Sequence, residues 1–214
     1  MVLCNSKFTQ KNLEEIYGVN AKVIYPGIDL KKFIPLSLNR ENAVLSVGRL
    51  SPFKGHHFVI ETLAKIPQKQ RPKLFIVADD GTQKEEKDLS RFANEKEVNL
   101  TIFKRINEDG LIKLYNKVKI VICAQVKEPF GLVPLEAMAC GTSVVAVSEG
   151  GFLETIIDKK NGLFFERDPK EAAEIIEKTL LDNNLRERLV QNGLLQVKKW
   201  DIEESISNLG KEIK

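Results

Sequence analysis

Apolar runs of strand length alternate along this chain with segments of helical periodicity, and glycine or proline separates most of them. Seven runs are predicted to be strands, at residues 22–25, 43–47, 73–78, 100–103, 120–124, 143–147 and 162–165. Helices are predicted at residues 7–17, 55–65, 84–94, 108–117, 132–139, 152–157, 169–181, 185–198 and 202–213. This alternation predicts an α/β fold with a doubly wound parallel sheet, helices on both faces and further helices at the C-terminus.

Composition and charge limit the classes of protein to be considered. The 214 residues are 43% hydrophobic and 29% charged, which is typical of a globular protein with a substantial core. The 33 basic and 30 acidic residues leave a net charge of +3, so charge gives no reason to expect a nucleic-acid partner. No signal-like segment follows Met1, and Cys4, Cys123 and Cys140 lack disulfide or zinc spacing. We therefore expect free thiols and a cytoplasmic location.

The segment EPFGLVPLE, residues 128–136, holds two carboxylates eight positions apart around a glycine. Pro129 favours an extended Glu128, and Gly131 lets the backbone approach a ligand closely before a predicted helix whose first amides would face an anion. Glu136 would lie within two turns of the start of that helix, where a carboxylate can accept hydrogen bonds from the vicinal hydroxyls of a ribose. The segment is suited to a sugar nucleotide; in the alternative, Glu136 is an ordinary exposed residue on a buried helix.

Two further loops carry candidate ligand contacts. VGRLSPFKG, residues 47–55, follows a predicted strand and places Arg49 and Lys54 where they would clamp a diphosphate, unless they are simply solvated charges. Gly150 and Gly151 precede a predicted helix, so their amides would contact the sugar or phosphate, unless they form a plain turn. Because ligands of such sheets bind beyond the carboxyl ends of strands, we expect the loops at 48–55, 78–82, 125–131 and 148–151 to share one crevice.

Other chemistry finds little support in the sequence. Asp79 and Asp80 stand before a glycine, as in a turn, and no metal is assigned to them. His56 and His57 are adjacent, so on a helix they point about 100° apart and make a poor chelate. Because no Ser-His-Asp or Cys-His arrangement and no GxxxxGK[ST] loop is present, hydrolase and kinase functions are not supported.

Several motifs stand in the order found in one enzyme family. They are VIYPGID at 23–29, SVGRLSPFKG at 46–55, EPFGLVPLEAMACG at 128–141 and EGGFLETI at 149–156. From Asn5 to Asp201 the chain resembles the C-terminal, donor-binding half of GT-B glycosyltransferases of family 4, the glycosyl transferases group 1. The resemblance implies a linker and helix from the interdomain connection at residues 1–21, a Rossmann-like nucleotide-sugar-binding domain at 22–198 and a C-terminal crossing helix at 199–214.

The resemblance also implies roles for individual residues. Arg49 and Lys54 would hold the diphosphate, Glu128 would face the donor sugar and Glu136 would bind the ribose hydroxyls. Backbone contacts to the donor would come from Phe130, Gly131, Leu132, Gly150 and Gly151. The implied reaction moves a hexose, mannose or glucose, from a nucleotide diphosphate sugar to a glycan or lipid-linked acceptor with retention of configuration and without a metal or other cofactor. Membrane association would come only through the acceptor.

Two segments depart from the pattern of that family, and both concern the nucleotide base. Residues 78–81 and 103–106 stand where glycines usually follow the strand, so guanosine, uridine and adenosine diphosphate sugars all remain open. The family also carries an N-terminal acceptor domain, so we expect transfer to require that domain or a partner polypeptide. Two alternatives remain, a stand-alone non-catalytic sugar-nucleotide-binding module and a structural protein that retains only the fold.

Overall fold

A computed structural model describes residues 1–79 and 81–213 of the chain. In chain order its elements are β1 (Leu3–Cys4), α1 (Lys7–Tyr17), β2 (Lys22–Val23), β3 (Glu41–Val47), α2 (His56–Lys65), β4 (Lys73–Ala78), α3 (Gln83–Glu95), β5 (Leu100–Lys104), α4 (Glu108–Lys117), β6 (Val118–Cys123), α5 (Leu132–Ala139), β7 (Ser143–Val147), α6 (Phe152–Thr155), β8 (Leu163–Phe165), α7 (Pro169–Leu181), α8 (Asn183–Val197) and α9 (Ile202–Ile213). Short 3₁₀ turns lie at Pro52–Lys54 and Lys198–Trp200.

The main sheet confirms the predicted doubly wound α/β fold. Its six strands are all parallel and lie in the order β5-β4-β3-β6-β7-β8. The chain first builds outward from β3 to β5, then returns to place β6 on the other side of β3 and builds outward again. The direction of winding therefore reverses between β3 and β6, which is the point where sheets of this type bind ligands.

The core lies between this sheet and two groups of helices. Residues of the central strands, among them Val44, Leu45, Ile120 and Val121, have no exposed surface. Helix α2 packs with α3 and α7, and α5 packs with α4 and α8. This arrangement covers both faces of the sheet, as a parallel sheet of apolar strands requires. Among the described helices, none combines the length and the apolar character needed to cross a bilayer.

The prediction of a seventh strand in this sheet was wrong. Residues 22–25 contribute only Lys22–Val23, and this pair lies beside Leu3–Cys4 in a separate two-stranded parallel sheet. The chain then turns away, and Ile28 exchanges backbone hydrogen bonds with the segment around Trp200, at 2.8 Å to the Trp200 carbonyl. Pro26 lacks an amide donor, so a longer strand pairing would be interrupted there.

Several helix boundaries differ from the prediction by one or two residues, and side-chain hydrogen bonds explain two of them. Helix α6 ends at Thr155 rather than at residue 157, because the Asn161 side chain accepts from the Ile157 amide at 2.6 Å and donates to the Thr155 carbonyl at 3.1 Å. Helix α8 begins at Asn183 rather than at residue 185, because the Asp182 carboxylate accepts from the Leu185 amide at 2.9 Å.

Candidate functional site

The loops that follow β3 and β6 are joined at the point where the winding reverses. The Val126 amide donates to the Phe53 carbonyl at 2.8 Å, and the Gln125 side chain donates to the Val47 carbonyl at 3.0 Å. Gly55 adopts φ 73°, and a Cβ there would lie 2.1 Å from the Ala124 carbonyl oxygen. Only glycine permits both that conformation and that approach. The structure thus brings the predicted loops 48–55 and 125–131 together.

Lys54 and Glu128 form an ion pair between these two loops. The Lys54 Nζ donates to Glu128 Oε2 at 2.7 Å, and the two side chains are 25% and 20% exposed. Lys54 closes the 3₁₀ turn after β3, and its stem lies over Gly48, where a Cβ would come within 3.1 Å of it. Two of the residues predicted to act on the donor therefore form one partly desolvated, charge-assisted contact.

Arg49 lies in the same loop and presents its guanidinium to solvent. The side chain is exposed, and no residue of the described chain forms a hydrogen bond or ion pair with the guanidinium. Its backbone is fixed by the buried His56, whose Nε2 lies 3.2 Å from the Arg49 carbonyl and 3.1 Å from the Gly48 carbonyl. Because carbonyl oxygens only accept, Nε2 carries the proton, and Nδ1 then accepts from the Ser46 hydroxyl at 3.1 Å.

Burial lowers the pKa of His56, which keeps the ring neutral in this role. The sequence placed His56 and His57 in the first turn of a helix, and the structure confirms that position. The sequence did not predict the contact with the loop that carries Arg49. The sequence did contain a signal for the burial of His56. This residue directly follows the glycine-containing loop after β3 and begins a helix whose inner face is apolar.

Helix α5 begins at the crevice without a side-chain cap. Gly131 precedes it with φ 90°, and a Cβ there would lie 2.6 Å from the Phe152 ring. The first amides, at Leu132 and Val133, therefore meet no capping oxygen from the Gly131 position, and Pro134 has no amide to offer. An uncapped helix N-terminus is suited to an anion.

Gly150 and Gly151 pack the loop after β7 against the backbone of this segment. The Gly151 amide donates to the Glu128 carbonyl at 2.7 Å, and a Cβ at Gly151 would lie 2.3 Å from the Phe130 Cα. A Cβ at Gly150 would lie 2.7 Å from the same Glu128 carbonyl. The Gly151 amide, predicted to contact the ligand, is engaged with the protein here, and both glycines serve the close packing of two loops.

Glu136 lies one turn into α5 and faces Tyr115 of α4. Its Oε2 accepts from the Tyr115 hydroxyl at 2.6 Å, and Tyr115 is completely buried. Burial raises the pKa of Glu136, and the hydrogen bond from Tyr115 opposes that rise. Glu136 is partly buried, so the alternative of an ordinary exposed residue was wrong.

Side chains from distant parts of the chain hold the segment around Glu128, and sequence analysis missed them. The Ser6 hydroxyl donates to the Pro129 carbonyl at 2.5 Å across 123 positions. Lys127 adopts φ 48°, and its amide donates to a Glu149 carboxylate oxygen at 2.9 Å. Arg167 donates to the same oxygen at 2.6 Å and to the Ala124 carbonyl at 3.1 Å. In the sequence, Ser6 could be recognised only as a helix cap. No sequence pattern indicated the ion pair of Glu149 with Arg167.

The two segments that depart from the family pattern lie on the other side of the crevice. A Cβ at Gly81 would lie 2.6 Å from Leu50 Cβ, so the loop at 78–82 packs on the loop after β3. Asp80 lies outside the described residues, and so does the predicted turn that depends on it. After β5, Arg105 adopts φ 52°.

The chain is similar to proteins of one known family. The family model described as glycosyl transferases group 1 matches residues 28–196. An uncharacterized glycosyltransferase of Methanocaldococcus jannaschii is 34% identical over 99% of this chain and 58% of its own length. A D-inositol 3-phosphate glycosyltransferase of Salinispora arenicola is 27% identical over 97% of this chain and 53% of its own length. The chain thus spans little more than half the length of these relatives.

Solved structures agree with the family match. Sucrose-phosphate synthase from Thermosynechococcus elongatus has a TM-score of 0.90 at 27% identity, covering 99% of this chain and 57% of its own. Anabaena HepE, solved with UDP and glucose, has a TM-score of 0.90 at 25% identity, covering all of this chain and 62% of its own. The chain therefore belongs to the glycosyl transferases group 1 family, and its sheet is a Rossmann-like half of the GT-B fold.

Proposed function

We propose that this chain is the donor-binding half of a retaining glycosyltransferase that moves a hexose from a nucleotide diphosphate sugar to a glycan or lipid-linked acceptor. The observation that carries the proposal is the Lys54–Glu128 ion pair between the loops where the winding reverses, one of which also presents the exposed Arg49. A carboxylate suited to a sugar and cations suited to a diphosphate, carried by these two loops, support the proposal.

Each group has a role in this proposal that its chemistry supports. The Lys54 ammonium has three donors, and one of them meets Glu128, so two are left for diphosphate oxygens. Arg49 adds a bidentate fork, and the uncapped start of α5 adds backbone donors. Together they would stabilise the charge that develops on the departing diphosphate, so we propose that donor binding requires no metal. Glu128 would then face the donor sugar, and Glu136 the ribose.

A uridine diphosphate sugar is the donor that the comparisons favour. HepE, which matches this chain over its whole length, was solved with UDP and glucose. We propose glucose or mannose as the sugar. Because the chain spans 53–58% of the length of the two relatives named above, we propose that transfer requires an N-terminal acceptor domain, on the same or a partner polypeptide. The cytoplasmic location inferred from the sequence stays a prediction.

Calorimetric titration tests the donor site directly. The purified chain is titrated with UDP-glucose, GDP-mannose and ADP-glucose, each with and without EDTA, and again as Arg49→Ala. Loss of a charge-assisted hydrogen bond to a phosphate predicts binding weaker by about tenfold or more. The matched control is Arg91→Ala in α3, which removes another exposed arginine, one that pairs with Asp88 at 3.1 Å. We expect the control to bind as the unchanged chain does.

Three results would decide against parts of the proposal. Equal affinity in Arg49→Ala would remove Arg49 from the site, and binding lost in EDTA would contradict metal independence. Transfer activity is then measured after addition of the N-terminal half of the Methanocaldococcus relative. Donor binding without any transfer in the complemented mixture favours the stand-alone binding module over the enzyme.

A further inference from the structure

The two oxygens of the Glu136 carboxylate have different surroundings, because only one of them accepts a hydrogen bond from Tyr115. Oε2 accepts from the Tyr115 hydroxyl at 2.6 Å. No residue of the described chain donates to Oε1, and Oε1 is not among the fully enclosed polar atoms without a partner. One oxygen is therefore held by the protein, and the other is left for a ligand or solvent.

The helices that carry the two side chains are fixed to each other by Arg40. Its guanidinium donates at 2.6–3.1 Å to backbone or hydroxyl oxygens at the end of α4 and beyond the end of α5, namely those of Tyr115, Val118, Cys140, Gly141 and Thr142. The Thr142 hydroxyl also donates to the Tyr115 carbonyl, at 2.6 Å. The separation of Tyr115 and Glu136 is thus set by rigid elements rather than by a mobile loop.

We propose that Tyr115 is a positioning residue, whose hydroxyl fixes Glu136 Oε2 so that Oε1 accepts hydrogen bonds from the ribose of the donor. The inference rests on the proposed function, because it requires Glu136 to bind the ribose. It also explains why a fully buried phenol faces a carboxylate. A backbone carbonyl would satisfy the hydroxyl equally well, whereas a partly buried carboxylate needs a donor to stay ionised.

The groups around Glu136 give the contact a second effect. Burial and the charge of Glu108 raise the pKa of Glu136, and Tyr115 supplies the hydrogen bond that lowers it. The neighbouring thiols, Cys123 and Cys140, are neutral because burial raises the pKa of each. Removal of the Tyr115 hydroxyl therefore raises the pKa of Glu136 further. Nucleotide binding should then weaken at a higher pH than in the unchanged protein, as the carboxylate becomes protonated.

The test compares UDP with its 2′,3′-dideoxy analogue by calorimetry. The unchanged chain should prefer UDP by about tenfold or more, since the analogue lacks both hydroxyls that a charged acceptor would hold. In Tyr115→Phe we expect that ratio to fall to about threefold or less, with the affinity for the analogue itself unchanged. A purely structural effect of the substitution would weaken both ligands alike and leave the ratio intact.

The chain offers a matched control and a readout that needs no ligand. Tyr25→Phe removes a similar tyrosine–glutamate hydrogen bond, to Glu154 at 2.8 Å, and should keep the ratio. Carbon-13 NMR titration of the Glu136 carboxyl should show a higher pKa in Tyr115→Phe than in the unchanged chain, and an equal pKa would overturn the inference.

The outcomes separate this inference from the proposed function. If Glu136→Gln abolishes the preference for UDP while Tyr115→Phe retains it, Glu136 reads the ribose without help from Tyr115, and the inference alone is wrong. If the unchanged chain binds UDP and the analogue equally, the ribose role of Glu136 and the inference are both wrong, whereas binding of UDP itself still supports a donor site.

Discussion

At Gly151 the chain has no room for a side chain, although its φ of −68° is open to any residue. A Cβ there would lie 2.3 Å from the Phe130 Cα and 2.5 Å from the Pro129 carbonyl oxygen. Since both neighbours are backbone, Gly151→Ala must push the segment before α5 away. We expect it to lower the free energy of unfolding by about 2 kcal/mol and to weaken donor binding. Urea denaturation and calorimetry measure the two effects.

The control for this substitution is Gly210→Ala in α9. A Cβ at Gly210 would meet no atom within 4 Å. Alanine is favoured over glycine inside a helix, so this change should raise the free energy of unfolding by about 0.5–1 kcal/mol. If Gly151→Ala unfolds at the same urea concentration as the unchanged chain, the two loops are not closely packed and the prediction is wrong.

The residues of the site divide into those that a local motif reveals and those that it does not. Glu128, Lys54 and Arg49 stand in short segments whose spacing predicted a ligand, and the structure joins the loops that carry them, with Lys54 and Glu128 in an ion pair and Arg49 exposed. The partners that hold them are distant in sequence. Ser6 reaches Pro129 across 123 positions, and Tyr115 reaches Glu136 across 21. Spacing within a segment carries no information on such contacts, because the tertiary fold creates them.

At the level of elements, α6 holds the N-terminus of α1. The Glu154 carboxylate of α6 accepts from the Lys7 amide at 3.0 Å and from the Phe8 amide at 2.9 Å. It also accepts from the Tyr25 hydroxyl at 2.8 Å. A carboxylate at the first amides of a helix satisfies donors that the helix itself leaves unpaired, and it complements the helix dipole.

We therefore expect Glu154→Ala to release α1 while the rest of the fold persists. The loss of these hydrogen bonds should lower the free energy of unfolding by about 1–2 kcal/mol. Hydrogen exchange at the Lys7 and Phe8 amides should become faster, and exchange in α5 should stay as it is. Glu15→Ala is the control within α1, because its pair with Lys11 at 3.6 Å is exposed and contributes little. Unchanged exchange at both amides would contradict the role given to Glu154.

Element boundaries could be predicted where the sequence itself carries the stop signals. Helices α1 and α7 have the predicted bounds, and their first turns are capped by Ser6 and Asp168. The short strands at the N-terminus could not be predicted in the same way. The pair Leu3–Cys4 is too short to show alternation, and it forms a strand only because Lys22–Val23 lies beside it.

For the whole molecule, alternation of strands and helices predicted a doubly wound parallel sheet but not its strand order. The order depends on β6 returning to pair with β3, at Val44 with Ile120 and Leu45 with Val121. That pairing buries apolar side chains far apart in sequence, and no local pattern specifies it. It also creates the crevice, because it brings the loop with Lys54 beside the loop with Glu128. The fold class alone predicted that loops would meet at a shared crevice. Which loops meet there depends on the strand order.

A ligand that binds only the folded chain must raise its melting temperature, and this carries the last prediction. At 100 times its Kd, UDP should stabilise the folded state by about 2.7 kcal/mol. For a chain of this length that corresponds to a rise of about 5–10 °C in Tm. If Arg49 and Lys54 supply the charge that holds the diphosphate, EDTA should leave the rise unchanged. Uridine lacks the diphosphate, so at the same concentration it should raise the Tm only slightly. A rise that disappears in EDTA and returns with Mg²⁺ would show that a metal, rather than these two cations, neutralises the donor.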